Sequence, residues 1–298
     1  MDLDSIVNEK FNANTAEEQL RRLIGQWSSL NSHKGLALSR TDMYELYSMR
    51  ERSVSLLDQA FSRMIDEAKI RHDNFKHHAD WKYISLGEDC FVRSLATRWG
   101  FKKSAALGAK SGPFDLAVHP PAALLSILQN DFDGYMDPSN LKYIGNMKYC
   151  MNTRYRSVFN HEVGPEYAEN DFEKLRNVIT PRVERFRADF EDDGKVCYIV
   201  RIHKADDEKW HKTAELLQFI RDKSAARNLA LICVSTREHG AQHICAPKVI
   251  GESGIHVVEH AYPHEKYVWH VNNRSDAGLS FEREVVRQLR AVMDRIAA

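Results

Sequence analysis

The stretch KYISLGEDCFVRSLATRWGF, running from Lys82 to Phe101, decides how the chain is read. Tyr83-Ile84-Ser85-Leu86 is a short apolar run suited to a buried strand, Gly87 permits a tight turn, and Phe91, Leu95 and Trp99 then recur at helical spacing. The segment reads as strand, turn, helix, with Gly87-Glu88-Asp89-Cys90 at the junction. In open α/β sheets ligands gather where strands hand over to helices, so the same junction is where chemistry is to be sought first.

The same alternation continues downstream. Val196 to Ile202 is a continuous apolar run, residues 208–224 are amphipathic, and Leu229 to Val234 is a second run. Ile255-His256-Val257-Val258-Glu259 makes a third, and residues 281–296 form a last amphipathic helix. Continuous apolar strands separated by helix-length segments belong to a sheet covered on both faces. The expected fold class is therefore α/β: three layers, a mostly parallel sheet flanked by helices, occupying residues 81–298. Residues 1–80 read as an N-terminal helical extension, polar and helix-periodic, with stripes through Leu20, Leu23, Ile24 and Trp27 and through Leu56, Leu57, Phe61, Met64 and Ile65. Residues 138–164, aromatic and polar by turns, read as a hairpin or an irregular insertion.

Lys plus Arg total 42 and Asp plus Glu total 42, so the formal charge is zero and no basic stripe offers a surface for nucleic acid. No stretch approaches the ~20 apolar residues of a membrane span, and the first residues lack the basic-then-apolar pattern of a secretory signal. A soluble cytoplasmic protein is expected, with its five cysteines (Cys90, Cys150, Cys197, Cys233 and Cys245) reduced. There is no GxGxxG or GxxxxGK[ST] pattern, and His72, His77 and His78 do not share one helix face at metal-ligand spacing. Neither a cofactor nor a metal is expected.

Cys90 is the thiol to weigh. A thiol at a helix N-terminus feels the positive end of the macrodipole, which favours thiolate, whereas the neighbouring Glu88 and Asp89 oppose a second negative charge. The blander alternative has Asp89 capping the helix and Cys90 packing beside it as a small apolar side chain. Cys197 and Cys233 lie inside apolar strands and read as core. A reactive thiol needs a base, and His119, His161, His203, His260 and His270 fall in loop or strand-end settings. His161 stands in SVFNHEVGPE at a polar tip before a Gly-Pro break, and His203 follows a strand and is the second candidate. In SGPFD, Pro113 and Gly112 present Asp115 at a defined place, either to orient a histidine or to cap a turn.

These pieces occur in an order that carries a resemblance. SLGEDC, SGPFDL, FNHEV and RVERFRADF, followed by a strand ending in Val200-Arg201, resemble a family of bacterial domains of unknown function described as papain-like cysteine peptidases. That family shows SLG-x-x-C, S-x-PFDW and F-x-HDF segments, and the resemblance covers residues 81–236. It implies Cys90 as nucleophile, His161 as base and Asp115 as supporting carboxylate, acting on a peptide. Leu116 stands where the family shows Trp and Glu162 where it shows Asp, which bears on the shape of the pocket. A papain-like architecture also implies a cysteine on a long central helix and a histidine on an antiparallel barrel-like sheet. The periodicity read above points instead to a parallel α/β sheet, and it is given the greater weight.

Two functions follow. One is a cysteine-dependent hydrolase or acyl transferase. The other is a non-catalytic or carbohydrate-associated protein in which Cys90, Ser111, Asp115, His161 and Arg201 hold a small polar or sugar-like ligand at the strand carboxyl ends. In HEKYVWHVNNRSDAG, Trp269 offers an aromatic face and Asn272 a donor and acceptor for such a ligand. The N-terminal helices are a candidate surface for a protein partner. Cys90 is expected at a strand end and first helical turn, with Asp115 close by and with a thiol pKa below the free value.

Overall fold

The computed structural model describes residues 40–204, 206–240, 248–250 and 254–297. The helical stripe read at residues 20–27 and the thiol of Cys245 lie outside them. In chain order the elements are α1 (Arg40–His77), β1 (Trp81–Gly87), α2 (Phe91–Arg98), α3 (Pro121–Gln129), β2 (Leu141–Ile144), β3 (Tyr149–Asn152) and β4 (Ser157–Val163). There follow α4 (Glu169–Phe190), β5 (Lys195–His203), α5 (Asp207–Lys223), β6 (Asn228–Arg237), β7 (Lys248–Ile250), β8 (Ile255–Ala261), α6 (Trp269–Asn272) and α7 (Asp276–Ala297).

The main sheet runs β1-β5-β6-β8-β7. Its first four strands are mutually parallel and β7 is antiparallel to β8 at the edge. Alternate residues of each strand serve opposite faces, which is why the strands read as continuous apolar text. Ile84, Leu86, Tyr198, Val200 and Leu231 pack against α3, α4 and α5 through Leu124, Ile179, Phe186, Leu216 and Ile220. Tyr83, Cys197, Ile199, Ile232, Val234 and Val258 pack on the other side against Phe91 and Leu95 of α2 and Phe281, Val285 and Leu289 of α7. The expected three-layer α/β architecture is the observed one.

Residues 138–164 are more regular than the sequence suggested. They form a second, antiparallel sheet of β2, β3 and β4 in that order. A bridge from Val118 to Val158 ties this sheet to the segment before α3. It is inserted in the long crossover between β1 and β5, and it carries His161 on β4.

Within the expected helical extension, Arg40–His77 forms one helix of 38 residues. Its C-terminal half lies on the α2 and α7 layer, where Asn74 Nδ2 donates to the Trp99 carbonyl at 2.7 Å and Glu67 pairs with Arg283 at 3.6 Å. Gly100 ends α2's turn with φ +82°, and a Cβ there would run into the Arg71 carbonyl, so the approach of α1 requires glycine. Among the described residues no helix is long and apolar enough to cross a membrane.

Candidate active site

β1 stops at Gly87, where an added Cβ would collide with the Asp89 carbonyl, so the chain can reverse here only through glycine. Cys90 occupies the N-cap position of α2, half-buried, at the carboxyl end of β1 and the start of the helix. Asp89 supplies the side-chain cap from one residue earlier: its Oδ1 accepts the Phe91 N–H at 2.9 Å. The Ser94 N–H bonds back to the Cys90 carbonyl, and the N–H groups of Val92 and Arg93 donate to no described group. Two backbone donors therefore remain unpaired in the first turn beside the thiol.

Asp89 Oδ2 is the hub of a buried cluster. It accepts from Arg201 and, at 2.9 Å, from Trp269 Nε1. The alternation of β5 sends Arg201 to the same face as Cys197 and Ile199, toward α2, where it is 2 % exposed. Its guanidinium also donates to Tyr262 Oη and to Thr236 Oγ1, the latter at 3.3 and 3.2 Å, and lies 4.7 Å from the Phe91 ring centre. Glu88 is held as firmly, accepting from Lys209 Nζ at 2.7 Å and from the His203 N–H at 2.6 Å. The acidic pair that looked adverse to a thiolate thus staples β1 to β5 and to α5, each carboxylate facing a cation.

The thiol itself behaves differently from the sequence expectation. Burial pushes its pKa up and the Asp89 charge pushes further, while its own backbone N–H, Arg93 and Arg201 pull down and do not win. Half-burial outweighs the helix N-terminus, so the resting group is a thiol. Cys150, Cys197 and Cys233 are fully buried. Burial raises Cys150 to about 11 and carries Cys197 and Cys233 higher still, as befits core side chains.

Asp115 is 1 % exposed and accepts from Lys102 Nζ and from the Gly112 N–H, both at 2.8 Å. Its Oδ2 lies 3.9 Å from Arg93 Nε. The carboxylate thus reaches α2 one helical turn past Cys90, while also closing the turn that Gly112 and Pro113 begin. His161 is solvent-exposed on β4; nearby protein atoms push it down, Glu162 pulls it up, and Arg93 and Arg182 push it down again. Its exposure makes these pushes weak ones. Arg93 is the shared neighbour of Cys90, Asp115 and His161. No hydrogen bond joins the three side chains among the described residues, so they gather around a guanidinium without bonding to one another. Glu162, of opposite parity on β4, is 3 % exposed and pairs with Arg182 at 2.7 Å.

The second base candidate, His203, sits at the end of β5 with Nδ1 3.2 Å from Thr236 Oγ1 and its ring 5.2 Å from that of Tyr262. Burial, then Arg201, lower its pKa. His119 is a core residue: wholly buried, its Nε2 lies 2.7 Å from Tyr135 Oη. His260 is buried against Phe281, and His270 is exposed beside Trp269. The Ser111 carbonyl accepts from Arg185 at 2.9 Å, and Asn272 Oδ1 accepts the Val268 N–H at 2.8 Å within the turn of α6. Arg201, Trp269 and Asn272 all have polar atoms engaged with protein groups.

Sequence reasoning passed over Arg93, Lys209, Thr236 and Tyr262. Arg93 had a signal, standing three residues after Cys90 on the same helix face. The others come from elements far along the chain, and only the parallel register of β5, β6 and β8 brings them to one end of the sheet. The described residues contain no group of three or more His, Cys, Asp or Glu able to hold a metal ion.

No curated protein and no solved structure matches the chain significantly. The pattern of one protein family matches residues 81–236, more than half of the 298, spanning β1 to β6 and every residue of the Cys90, Asp115 and His161 cluster. The chain belongs to the family described as "Putative papain-like cysteine peptidase".

Proposed function

We propose that the protein is a cysteine-dependent hydrolase or acyl transferase with Cys90 as nucleophile, His161 as base and Asp115 in support. The observation that carries the reading is the position of Cys90. Among the described residues it is the one cysteine not fully buried, and it stands at the N-cap position of a helix at a strand carboxyl end, between Arg93 and Arg201. The family description agrees with a cysteine hydrolase in outline.

Since the resting group is a thiol, the proton leaves as the substrate arrives. His161 takes it, Sγ adds to the carbonyl carbon, and the carbonyl π electrons move to oxygen. The oxyanion accepts from the unpaired Val92 and Arg93 N–H groups. The imidazolium then returns the proton to the leaving group as the carbon-to-leaving-group bond breaks. Water or a second acceptor takes the acyl group from sulfur. Asp115 acts through Arg93: it holds the guanidinium beside both reacting groups instead of bonding to the imidazole. Peptides, as the family's description suggests, are the proposed substrates.

The test is acylation by p-nitrophenyl acetate, followed by nitrophenolate release and by peptide mass spectrometry. The reading expects one nitrophenolate released rapidly per chain, an acetyl group on Cys90, and loss of both in Cys90→Ser. His161→Ala should slow acylation about a hundredfold or more, the usual range for a general base, and His203→Ala much less. The reverse ranking would give the base role to His203. Acetyl groups found anywhere but Cys90 would sink the nucleophile.

A further inference from the structure

β1 is an edge strand of the main sheet, and residues 101–103 and 109–113 face it across a shared space. This space is a cavity of about 400 Å³, reached also by the side of α4. This is within the size range of small-molecule sites. Its walls divide by chemistry. Phe101 and Phe186 supply apolar surface, while Lys103, Lys110 and Arg185 bring positive charge to the mouth.

The charge is not balanced from within. Two other lining cations are already paired, Lys102 with Asp115 and Lys82 with Asp189. Lys103 and Lys110 have no ion pair among the described residues, and Arg185 meets only the Ser111 carbonyl, its buried Nε donating to nothing described. Ser85 lines the cavity at 6 % exposure, and its hydroxyl likewise has no partner among the described protein groups. Buried polar atoms are normally paired, so the wall of the cavity carries a hydroxyl and a guanidinium nitrogen whose polar needs the described protein groups do not meet. Neither Cys90 nor His161 lines this space.

We propose that the cavity beside β1 binds a small organic anion, its apolar body against Phe101 and Phe186 and its carboxylate or phosphate head among Lys103, Lys110 and Arg185. Cys90 and His161 lie outside the cavity, although Asp115 and Ser111 are in its wall, and the inference stands whether or not Cys90 is a nucleophile.

The probes are 1-naphthoate and 1-naphthyl phosphate, with uncharged 1-naphthamide as the matched control, titrated into the 298-residue chain by equilibrium dialysis. At least one of the two acids should bind saturably, the tighter one identifying the head group, and naphthamide should bind at least tenfold more weakly. Added salt should weaken the acid's binding. The double variant Lys103→Glu/Lys110→Glu, both positions exposed, should lose at least tenfold in affinity, whereas Cys90→Ser should bind as the native chain does. Hydrogen exchange with the acid bound should slow in residues 81–85 and 101–113. Equal binding of acid and amide, indifference to the charge reversal, protection confined to other segments, or no saturable binding of either acid would each overturn the proposal.

Discussion

Burial acts against charge at Cys90 and at His119, and the two residues show how far it can go. At Cys90 it leaves a protonated thiol that neighbouring arginines only partly offset, so reactivity depends on a base and not on a standing thiolate. At His119 it prevails completely: the ring sits among Phe114, Tyr135 and the rest of an aromatic cluster, and burial lowers its pKa from 6.5 to about 3. The unfolded chain therefore binds a proton at His119 that the folded chain refuses between pH 6.5 and about 3. This residue's contribution is complete above that window and is lost as pH falls through it. Urea unfolding at pH 7 and pH 5 should show a loss of about 2 kcal/mol assignable to His119, absent in His119→Gln, which keeps a hydrogen-bonding group but does not titrate. An identical loss in the variant would place the acid sensitivity elsewhere. The sequence placed His119 in a loop and so among candidate bases, because nothing local reveals that Phe114 and Tyr135 close over it.

At the scale of elements, the junction of β1 and α2 was legible because every signal for it is local: an apolar run, a glycine at the turn, helical spacing from Phe91. What fixes the junction in place was not legible. Asp89 and Arg201 are 112 residues apart in sequence, and their pairing depends on β5 lying next to β1 in parallel register. This link makes α2's N-terminus and the end of β5 one unit. Removing one partner leaves the other charge unpaired in a largely enclosed place. Asp89→Ala, which also removes the cap on Phe91 N–H, should destabilise by about 3–5 kcal/mol in urea unfolding, and Arg201→Met by a similar amount. The two losses should be far from additive in the double variant, since with both charges gone neither is stranded. Additive losses would mean that the pair does not act as a unit. The antiparallel sheet of β2, β3 and β4 was read only as a hairpin or insertion. Strands as short as Leu141–Ile144 and Tyr149–Asn152 carry too few alternations to show a period.

At the scale of the whole molecule, the parallel order of four strands follows from the text, but the family's implied papain-like architecture does not describe it. Cys90 stands at the N-cap position of a helix of eight residues after a parallel strand, although His161 does lie on a small antiparallel sheet. The family match ends at residue 236, before β8 and α7. Those two elements complete one core: Val258, Phe281, Val285, Leu289 and Met293 cover the α2 face of the sheet. A fragment of residues 81–236 should therefore lack a cooperative urea transition and bind hydrophobic dye, whereas the full chain unfolds cooperatively. A cooperative fragment would show that the later elements are dispensable. The central claim is that the fold makes Cys90 a nucleophile, and the most direct measurement is its rate of modification by a peptidyl epoxysuccinate at pH 7, in the native chain and in urea. Cys90 should react faster folded than unfolded, despite its half-burial, and His161→Ala should remove the advantage. A folded rate equal to or below the unfolded one would mean that Cys90 only packs.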